Sequence, residues 1–299
     1  MQDRSHLLTE QQLEASAALD AMSVEEAIDL MNHQDALAVE AVAVERLPIA
    51  KAIKLIATAL KAGGRLIYVG AGTSGRLGVL DASECPPTFR SDPEMVQGIM
   101  AGGEIAMFRA QEGAEDRAED GASVIDAKHT GPRDIVMGIA AGGTTPFVHG
   151  ALQRAIERGS QTIFLSCVQP VPNEPPVDVV IRPLTGPEVI TGSTRLKAGT
   201  ATKLVLNMLS TLAMVQLGKV YGNLMVDVKA TNQKLQDRSV RIVMKVTELV
   251  REQAEALLSA AGGHVKLAIA MHGRQVTAEQ ARELLDTHGG QLRLALRKS

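Results

Sequence analysis

Residues 65–76 read Arg65-Leu-Ile-Tyr-Val-Gly-Ala-Gly-Thr-Ser-Gly-Arg76, and this stretch decides the fold. The part from Leu66 to Val69 is apolar and rich in β-forming residues, which predicts a buried strand, and the glycines that follow predict a tight loop. Residues 134–146 repeat the pattern, because an apolar run passes into Ala-Gly-Gly-Thr-Thr-Pro. Two successive units of strand, glycine loop and helix predict an α/β fold with a doubly wound parallel sheet.

The remaining elements follow from the same patterns. Further strands are predicted at Met95–Ala101, Gln161–Cys167 and Val177–Ile181, and a long helix is predicted at Ala198–Leu217. Near-continuous apolar strands favour a sheet that is covered on both faces. The predicted segments are an N-terminal helical segment (1–55), the sheet domain (56–220), a connecting segment (221–244) and a small C-terminal module of three helices (245–299).

The composition argues against several classes of partner. Lys and Arg total 31 against 34 Asp and Glu, and the chain has no long basic run that would bind nucleic acid. Only 2% of the residues are aromatic and none is Trp, so stacking surfaces for bases are not expected. Two cysteines and an N-terminus without an apolar leader predict a cytoplasmic protein. Polar residues within Leu204–Leu217 predict a buried helix rather than a membrane span.

Three loops rich in glycine and hydroxyl residues are candidate sites for a phosphate. Free backbone N–H groups and the positive end of a following helix suit a phosphate monoester, and hydroxyl groups add donors. We expect the loops to converge, because the carboxyl ends of parallel strands meet at one edge of a sheet. The candidate phosphate-binding residues are Gly72, Thr73 and Ser74 in the first loop, Gly143, Thr144 and Thr145 in the second, and Ser193, Thr194 and Lys197 in the third.

These loops allow two other interpretations. The first loop also matches the G-x-G-x-x-G pattern of dinucleotide-binding proteins. That class of site uses an acidic residue at the end of the second strand, and here Glu104 lies beyond the expected end. Alternatively, each loop contains only turn and helix-capping residues. The occurrence of three such loops on one predicted sheet favours a phosphate site.

Longer motifs around the loops carry a family resemblance. They are Leu80-Asp-Ala-Ser-Glu-Cys-Pro-Pro87, Glu112-Gly-Ala-Glu-Asp116, residues 191–200, and Gly222-Asn-Leu-Met-Val-Asp-Val228 with Ala230-Thr-Asn232. The first loop resembles that of sugar isomerase (SIS) domains, and the motifs together resemble the N-acetylmuramic acid 6-phosphate etherase family over nearly the whole chain. The resemblance implies a flavodoxin-like SIS domain and a small UBA-like helical domain at the C-terminus.

The resemblance also implies an activity. The family cleaves the D-lactyl ether at carbon 3 of N-acetylmuramic acid 6-phosphate and releases D-lactate and N-acetylglucosamine 6-phosphate in peptidoglycan recycling. By resemblance, Glu84 is the catalytic acid, Glu115 is the base that takes the carbon 2 proton, and the protein is a homodimer with the site near the subunit interface. We expect no metal and no organic cofactor, because proton transfer suffices for this elimination and the seven histidines lack metal-ligand spacing.

Several alternatives stay open at this point. Residue chemistry alone also allows the roles of Glu84 and Glu115 to be reversed, or Glu112 to replace Glu115. A noncatalytic sugar-phosphate sensor that regulates a partner, or a ketose–aldose phosphate isomerase, would share the phosphate loops. The chain departs from the family pattern at Gly142, where a hydroxyl residue is expected.

Overall fold

The computed structural model describes residues 5–230 and 232–297. Thr231, which belongs to one of the family motifs, lies outside the described residues. The chain divides into two compact units. The first comprises Met1–Ser83 and Glu94–Ser210, and the second comprises Glu84–Pro93 and Thr211–Ser299. The division into four segments made from the sequence stays a prediction, because contacts alone do not decide which segments fold independently.

The described residues form a parallel sheet and a series of helices. The strands are β1 Leu66–Gly70, β2 Val96–Met100, β3 Ile135–Ile139, β4 Gln161–Leu165 and β5 Val179–Ile181. The helices are α1 Val24–Val44, α2 Arg46–Lys61, α3 Gly72–Phe89, α4 Ile105–Phe108, α5 Ala118–Ala127, α6 Pro146–Glu157, α7 Lys197–Gln216, α8 Gln233–Thr247, α9 Arg251–Ala260, α10 Val265–Arg274, α11 Ala278–Thr287 and α12 Leu292–Ala295. Short 3-10 helices lie at Leu8–Glu10, Glu14–Ser16, Leu19–Ala21 and Ala114–Asp116.

The sheet confirms the predicted fold class. Its strand order is β2-β1-β3-β4-β5 and every neighbouring pair is parallel, which is the flavodoxin-like order. The chain changes direction across the sheet between β1 and β3, so a crevice opens beyond the carboxyl ends of these two strands. Gly70 and Ile139 are partners in the register and end the two strands. The first and second glycine loops therefore begin side by side.

Helices α5 and α6 pack unusually closely. A Cβ on Gly121 of α5 would lie 1.9 Å from the carbonyl oxygen of Phe147, and a Cβ on Gly150 of α6 would lie 2.0 Å from that of Ala118. Both positions therefore require glycine, because the two backbones touch there. Glu115 precedes α5 and the second loop precedes α6, so this packing sets the distance between them.

The N-terminal helices behave as their sequence predicts. Ser23 caps α1: its hydroxyl accepts from the N–H of Glu26, and the Glu26 carboxylate accepts from the N–H of Ser23. Helix α2 packs against β1 and β5 with a buried apolar face.

Helix α7 is long and apolar enough to cross a membrane by length and composition, but 56% of its most apolar 18-residue stretch is buried within the protein. That burial agrees with a core helix.

The second unit contains its own apolar core. Helices α8 to α12 surround buried residues that include Val243, Ala254, Ala268, Ala281 and Leu292. The predicted C-terminal helices are observed as α9, α10 and α11, followed by the one-turn helix α12. The helical tail therefore forms an organised unit.

Candidate active site

A cleft of about 230 Å³ opens at the carboxyl ends of β1 and β3. All three predicted phosphate loops reach it, which brings together residues that are far apart in the sequence. The predicted site residues that line it are Gly72, Thr73, Ser74, Glu115, Thr144, Thr145 and Thr194. Gly143 and Ser193 lie in the same loops next to lining residues.

The first loop runs directly from β1 into the N-terminus of α3. A Cβ on Gly70 would lie 2.7 Å from the nitrogen of Gly75, and a Cβ on Gly75 would lie 2.5 Å from the Cβ of Met100. These glycines therefore allow the tight turn. The first N–H groups of a helix have no partner within it, and α3 begins at Gly72. Gly72, Thr73 and Ser74 thus line the cleft at the positive end of an 18-residue helix.

The second loop presents the N-terminus of α6. Thr145 occupies the N-cap position, but its side chain makes no capping hydrogen bond, and Pro146 takes the first helical position. The interpretation of Thr145 as a helix cap therefore does not account for its hydroxyl group. The His149 Nε2 donates to the carbonyl oxygen of Gly143 at 2.7 Å, which holds the loop against its own helix. His149 belongs to none of the sequence motifs quoted above.

Gly142 lines the cleft, and the space around it does not require glycine. A Cβ at this position would meet only the Thr9 Oγ1, at 3.8 Å. A serine would therefore fit at this position. Where the family resemblance predicts a hydroxyl residue, glycine leaves the second loop without a side-chain donor at this position.

The third loop contributes to the cleft differently from the other two. Glu188 is fully buried, and its carboxylate accepts from the backbone N–H groups of Lys197 and Ala198 at 2.8 and 3.0 Å. These are the first N–H groups of α7. A protein carboxylate therefore already occupies the positive end of this helix. Of the predicted residues of this loop, Thr194 lines the cleft.

Lys197 lies away from the cleft surface. Its side chain is buried, and its Nζ donates to the Gln34 Oε1 at 2.7 Å. Burial lowers the pKa of Lys197, while the nearby Glu188 carboxylate opposes that change. The amine therefore already has a hydrogen-bond acceptor inside the first unit, and its proposed contact with phosphate stays a prediction.

Glu115 is the predicted catalytic carboxylate that lines the cleft. It lies in the 3-10 helix Ala114–Asp116, which follows Gly113 with a φ of +73°, and its side chain is exposed. It also borders an adjoining pocket, where Glu112 is found. Arg76 donates to the carbonyl oxygens of Ala106 and Met107 at 2.7 and 3.0 Å. This links the first loop helix to the segment that leads to Glu115.

Glu84 lies on α3 in the second unit, and its side chain is exposed. The neighbouring Cys85 is buried. Burial raises the pKa of the other cysteine, Cys167, to about 12, so that thiol is not a nucleophile at neutral pH. The catalytic role of Glu84 stays a prediction.

The structure adds one acidic residue that sequence reasoning missed. Glu10 lines the same cleft as Glu115, together with Leu7 from the same N-terminal segment. None of the motifs quoted from the sequence includes Glu10. Within the described residues, no group of three or more His, Cys, Asp or Glu side chains could hold a metal ion.

Comparisons with known proteins identify the family. Etherases named for N-acetylmuramic acid 6-phosphate from Gloeothece citriformis and Synechocystis are each 57% identical to this chain over 272 residues, covering 91% of the chain and 89% of each relative. The chain belongs to the N-acetylmuramic acid 6-phosphate etherase family. The etherase of Crocosphaera subtropica is 56% identical over the same share of both chains.

Two further likenesses concern the SIS domain of this etherase family member. Residues 48–156 match the family model described as the glucokinase regulatory protein N-terminal SIS domain. A phosphoheptose isomerase from Francisella tularensis superimposes with a TM-score of 0.52 at 18% identity, covering 65% of this chain and 100% of the isomerase. At that identity the likeness shows the fold alone. The three relatives named above, which each cover 91% of the chain, are etherases.

Proposed function

We propose that the protein cleaves the D-lactyl ether of N-acetylmuramic acid 6-phosphate with water and yields N-acetylglucosamine 6-phosphate and D-lactate. It is a carbon–oxygen lyase of peptidoglycan recycling and amino sugar catabolism. The observation that carries this proposal is the 57% identity with etherases over 91% of the chain. The cleft supports it, because three loops with hydroxyl groups and helix N-termini surround a carboxylate there.

The chemistry requires proton transfer at two atoms. An alkyl ether resists direct hydrolysis, but the open-chain aldehyde makes the carbon 2 proton acidic. A base removes that proton, an acid protonates the departing lactyl oxygen, and the carbon 3–oxygen bond breaks to give an unsaturated aldehyde. Water then adds at carbon 3, and a proton returns to carbon 2. The lyase step and the hydration together balance the net hydrolysis.

Glu115 is the base in this proposal, and Glu84 is the acid. Glu115 lines the same cleft as the candidate phosphate-binding residues, whereas Glu112 borders only the adjoining pocket, which favours Glu115 for carbon 2. The phosphate lies against the N-termini of α3 and α6, where Thr73, Ser74 and Thr144 supply hydroxyl groups. Gly142 leaves the backbone of the second loop as the donor at its position.

A lactate assay tests the function. The purified protein is incubated with N-acetylmuramic acid 6-phosphate, and D-lactate is measured. We expect stoichiometric D-lactate, which neither a sugar-phosphate sensor nor a ketose–aldose isomerase produces. A folded protein that binds the sugar phosphate and releases no lactate would refute the etherase proposal. Interconversion of aldose and ketose phosphates in the same sample would then indicate an isomerase.

Glu84→Gln is expected to slow lactate release by about 10²- to 10⁴-fold, because general acid catalysis contributes on that scale. Exchange of the carbon 2 proton with deuterated water should be slowed much less, since the base remains. NMR follows the exchange, and a coupled assay follows lactate. The control is Glu252→Gln, which changes an exposed carboxylate in the same unit. Equal slowing of exchange and lactate release would contradict the acid role.

We also propose that the protein is a homodimer, as the family resemblance implies. The 21-residue helix α1 buries few side chains. Exposed apolar residues on α1 are Val24, Ile28, Met31, Leu37, Val39 and Val44. A helix with this much exposed apolar surface is typical of an interface. Light scattering should give about twice the chain mass of 31.7 kDa, and Ile28→Glu should shift it toward the monomer. A monomeric unsubstituted protein would refute the proposal.

The proposed compartment is the cytoplasm. Both cysteines are buried and neither forms a disulfide, which is consistent with a reducing environment. Cell fractionation checks the compartment, and recovery of the protein in an extracytoplasmic fraction would refute it. The proposal includes no nucleic acid partner and no membrane partner.

A further inference from the structure

The N-terminal segment forms one wall of the cleft and is held there by the third loop. The carbonyl oxygen of Thr9 accepts from the N–H of Gly192 at 3.1 Å. Leu7 is buried in a small apolar cluster with Val168 and Val171. These contacts fix the 3-10 helix that carries Glu10 at its end. Glu10 therefore has a defined position at the cleft, although it precedes the sheet by more than fifty residues.

The Glu10 carboxylate lies over a glycine. A Cβ on Gly192 would lie 3.1 Å from the Glu10 Oε2, and Gly192 adopts a φ of +76°. The side chain of Glu10 is exposed to the cleft, and its oxygens have no hydrogen bond or ion pair with other side chains in residues 5–230 and 232–297. Its acceptor capacity is thus available to a ligand.

The polar groups around the cleft differ in what they can bind. Helix N–H groups are donors, and the hydroxyl groups of Thr73, Ser74 and Thr144 can donate as well, so both suit phosphate oxygens. Sugar hydroxyl groups must also donate to an acceptor, and an ionised carboxylate is the strongest acceptor in proteins. The lining contains two carboxylates, Glu10 and Glu115, and the proposed function uses Glu115 at carbon 2.

We propose that Glu10 is a substrate-binding residue that accepts hydrogen bonds from hydroxyl groups of the sugar, between the phosphate and carbon 2. It makes the cleft select a sugar phosphate over inorganic phosphate. A carboxylate repels a phosphate dianion, so Glu10 weakens the binding of phosphate alone and strengthens the binding of a phosphate that carries a polyol. The identity of the sugar rests on the proposed function. The preference for a sugar phosphate over inorganic phosphate does not rest on it.

Loss of the Glu10 carboxylate should change the affinities for the sugar phosphate and for inorganic phosphate in opposite directions, and this difference is the test. The full chain, its Glu10→Gln and Glu10→Ala variants and the control Glu14→Gln are compared, since Glu14 is exposed and does not line the cleft. Calorimetry measures the Kd of N-acetylglucosamine 6-phosphate and of inorganic phosphate. We expect both Glu10 variants to bind the sugar phosphate about 10- to 100-fold more weakly, as loss of a charge-assisted hydrogen bond predicts. Inorganic phosphate should bind equally or more tightly.

Three outcomes would overturn the role of Glu10. Unchanged affinity for the sugar phosphate would exclude the contact. Equal weakening for both ligands would indicate damage to the cleft rather than a lost acceptor. A lower kcat with unchanged KM and an altered acid limb of the pH profile would assign proton transfer instead. The binding measurements need no turnover, so they decide the role of Glu10 even if the lactate assay fails.

Discussion

Glu115→Gln is expected to lower the rate of carbon 2 proton exchange and the rate of lactate release together, by about 10²- to 10⁴-fold. The variant keeps the size and hydrogen-bonding shape of the side chain but cannot accept the proton. Removal of the proton precedes loss of lactate, so both rates fall equally. NMR in deuterated water measures the exchange, and a coupled assay measures D-lactate.

Two companion variants make this result interpretable. Glu119→Gln changes an exposed carboxylate at the start of α5 and should leave both rates unchanged. Glu112→Gln tests the alternative base, which borders the adjoining pocket. Exchange that persists in Glu115→Gln and disappears in Glu112→Gln would transfer the role of base to Glu112. Binding of inorganic phosphate that is unchanged or tighter in Glu115→Gln would show that the cleft is intact.

Gly121→Ala is expected to have the largest effect on stability. The new Cβ would lie 1.9 Å from the Phe147 carbonyl oxygen and 2.9 Å from the Ala151 nitrogen, and both atoms belong to the backbone of α6. The helices must separate, because a backbone cannot move aside as a flexible side chain can. We expect the free energy of unfolding to fall by about 1–3 kcal/mol or more. Urea denaturation measures this change.

The same substitution should also affect catalysis in the molecules that remain folded. Separation of α5 from α6 would move Glu115 away from the second phosphate loop and lower kcat/KM. Gly131→Ala is the matched control, because a Cβ there meets no atom within 4 Å and Gly131 has no positive φ. Its stability should change by no more than about 0.5 kcal/mol. Equal stability of the two variants would contradict the close packing of these helices.

The sheet and the first two loops were predictable from the sequence for a local reason. A buried parallel strand needs a continuous apolar run, and a turn into a helix over so short a distance needs glycine, so both leave a mark in consecutive residues. The apolar run predicted as a strand within residues 134–146 is observed as β3 at Ile135–Ile139. The convergence of the first two loops was also predictable from the sequence, because parallel strands have their carboxyl ends at the same edge of a sheet.

The third loop shows where this reasoning stopped. Ser193, Thr194 and Lys197 together have the composition of a phosphate site. However, the Lys197 amine is buried against Gln34, and the Glu188 carboxylate occupies the N-terminus of the helix that begins at Lys197. Gln34 lies 163 residues from Lys197 in the sequence, and Glu188 lies 9 residues from it. A local pattern specifies which groups are present and does not specify which of them already have partners.

The sequence by itself determined the order of strands and glycine loops, the helical ends that suit phosphate, and, through long motifs, the family. Only the tertiary structure decided which polar groups face the cleft: Glu115, Thr194 and the unsuspected Glu10 line it, whereas Lys197 does not. The physical reason is that strands and turns depend on neighbouring residues. The availability of a charge depends on burial and pairing, which distant parts of the chain supply.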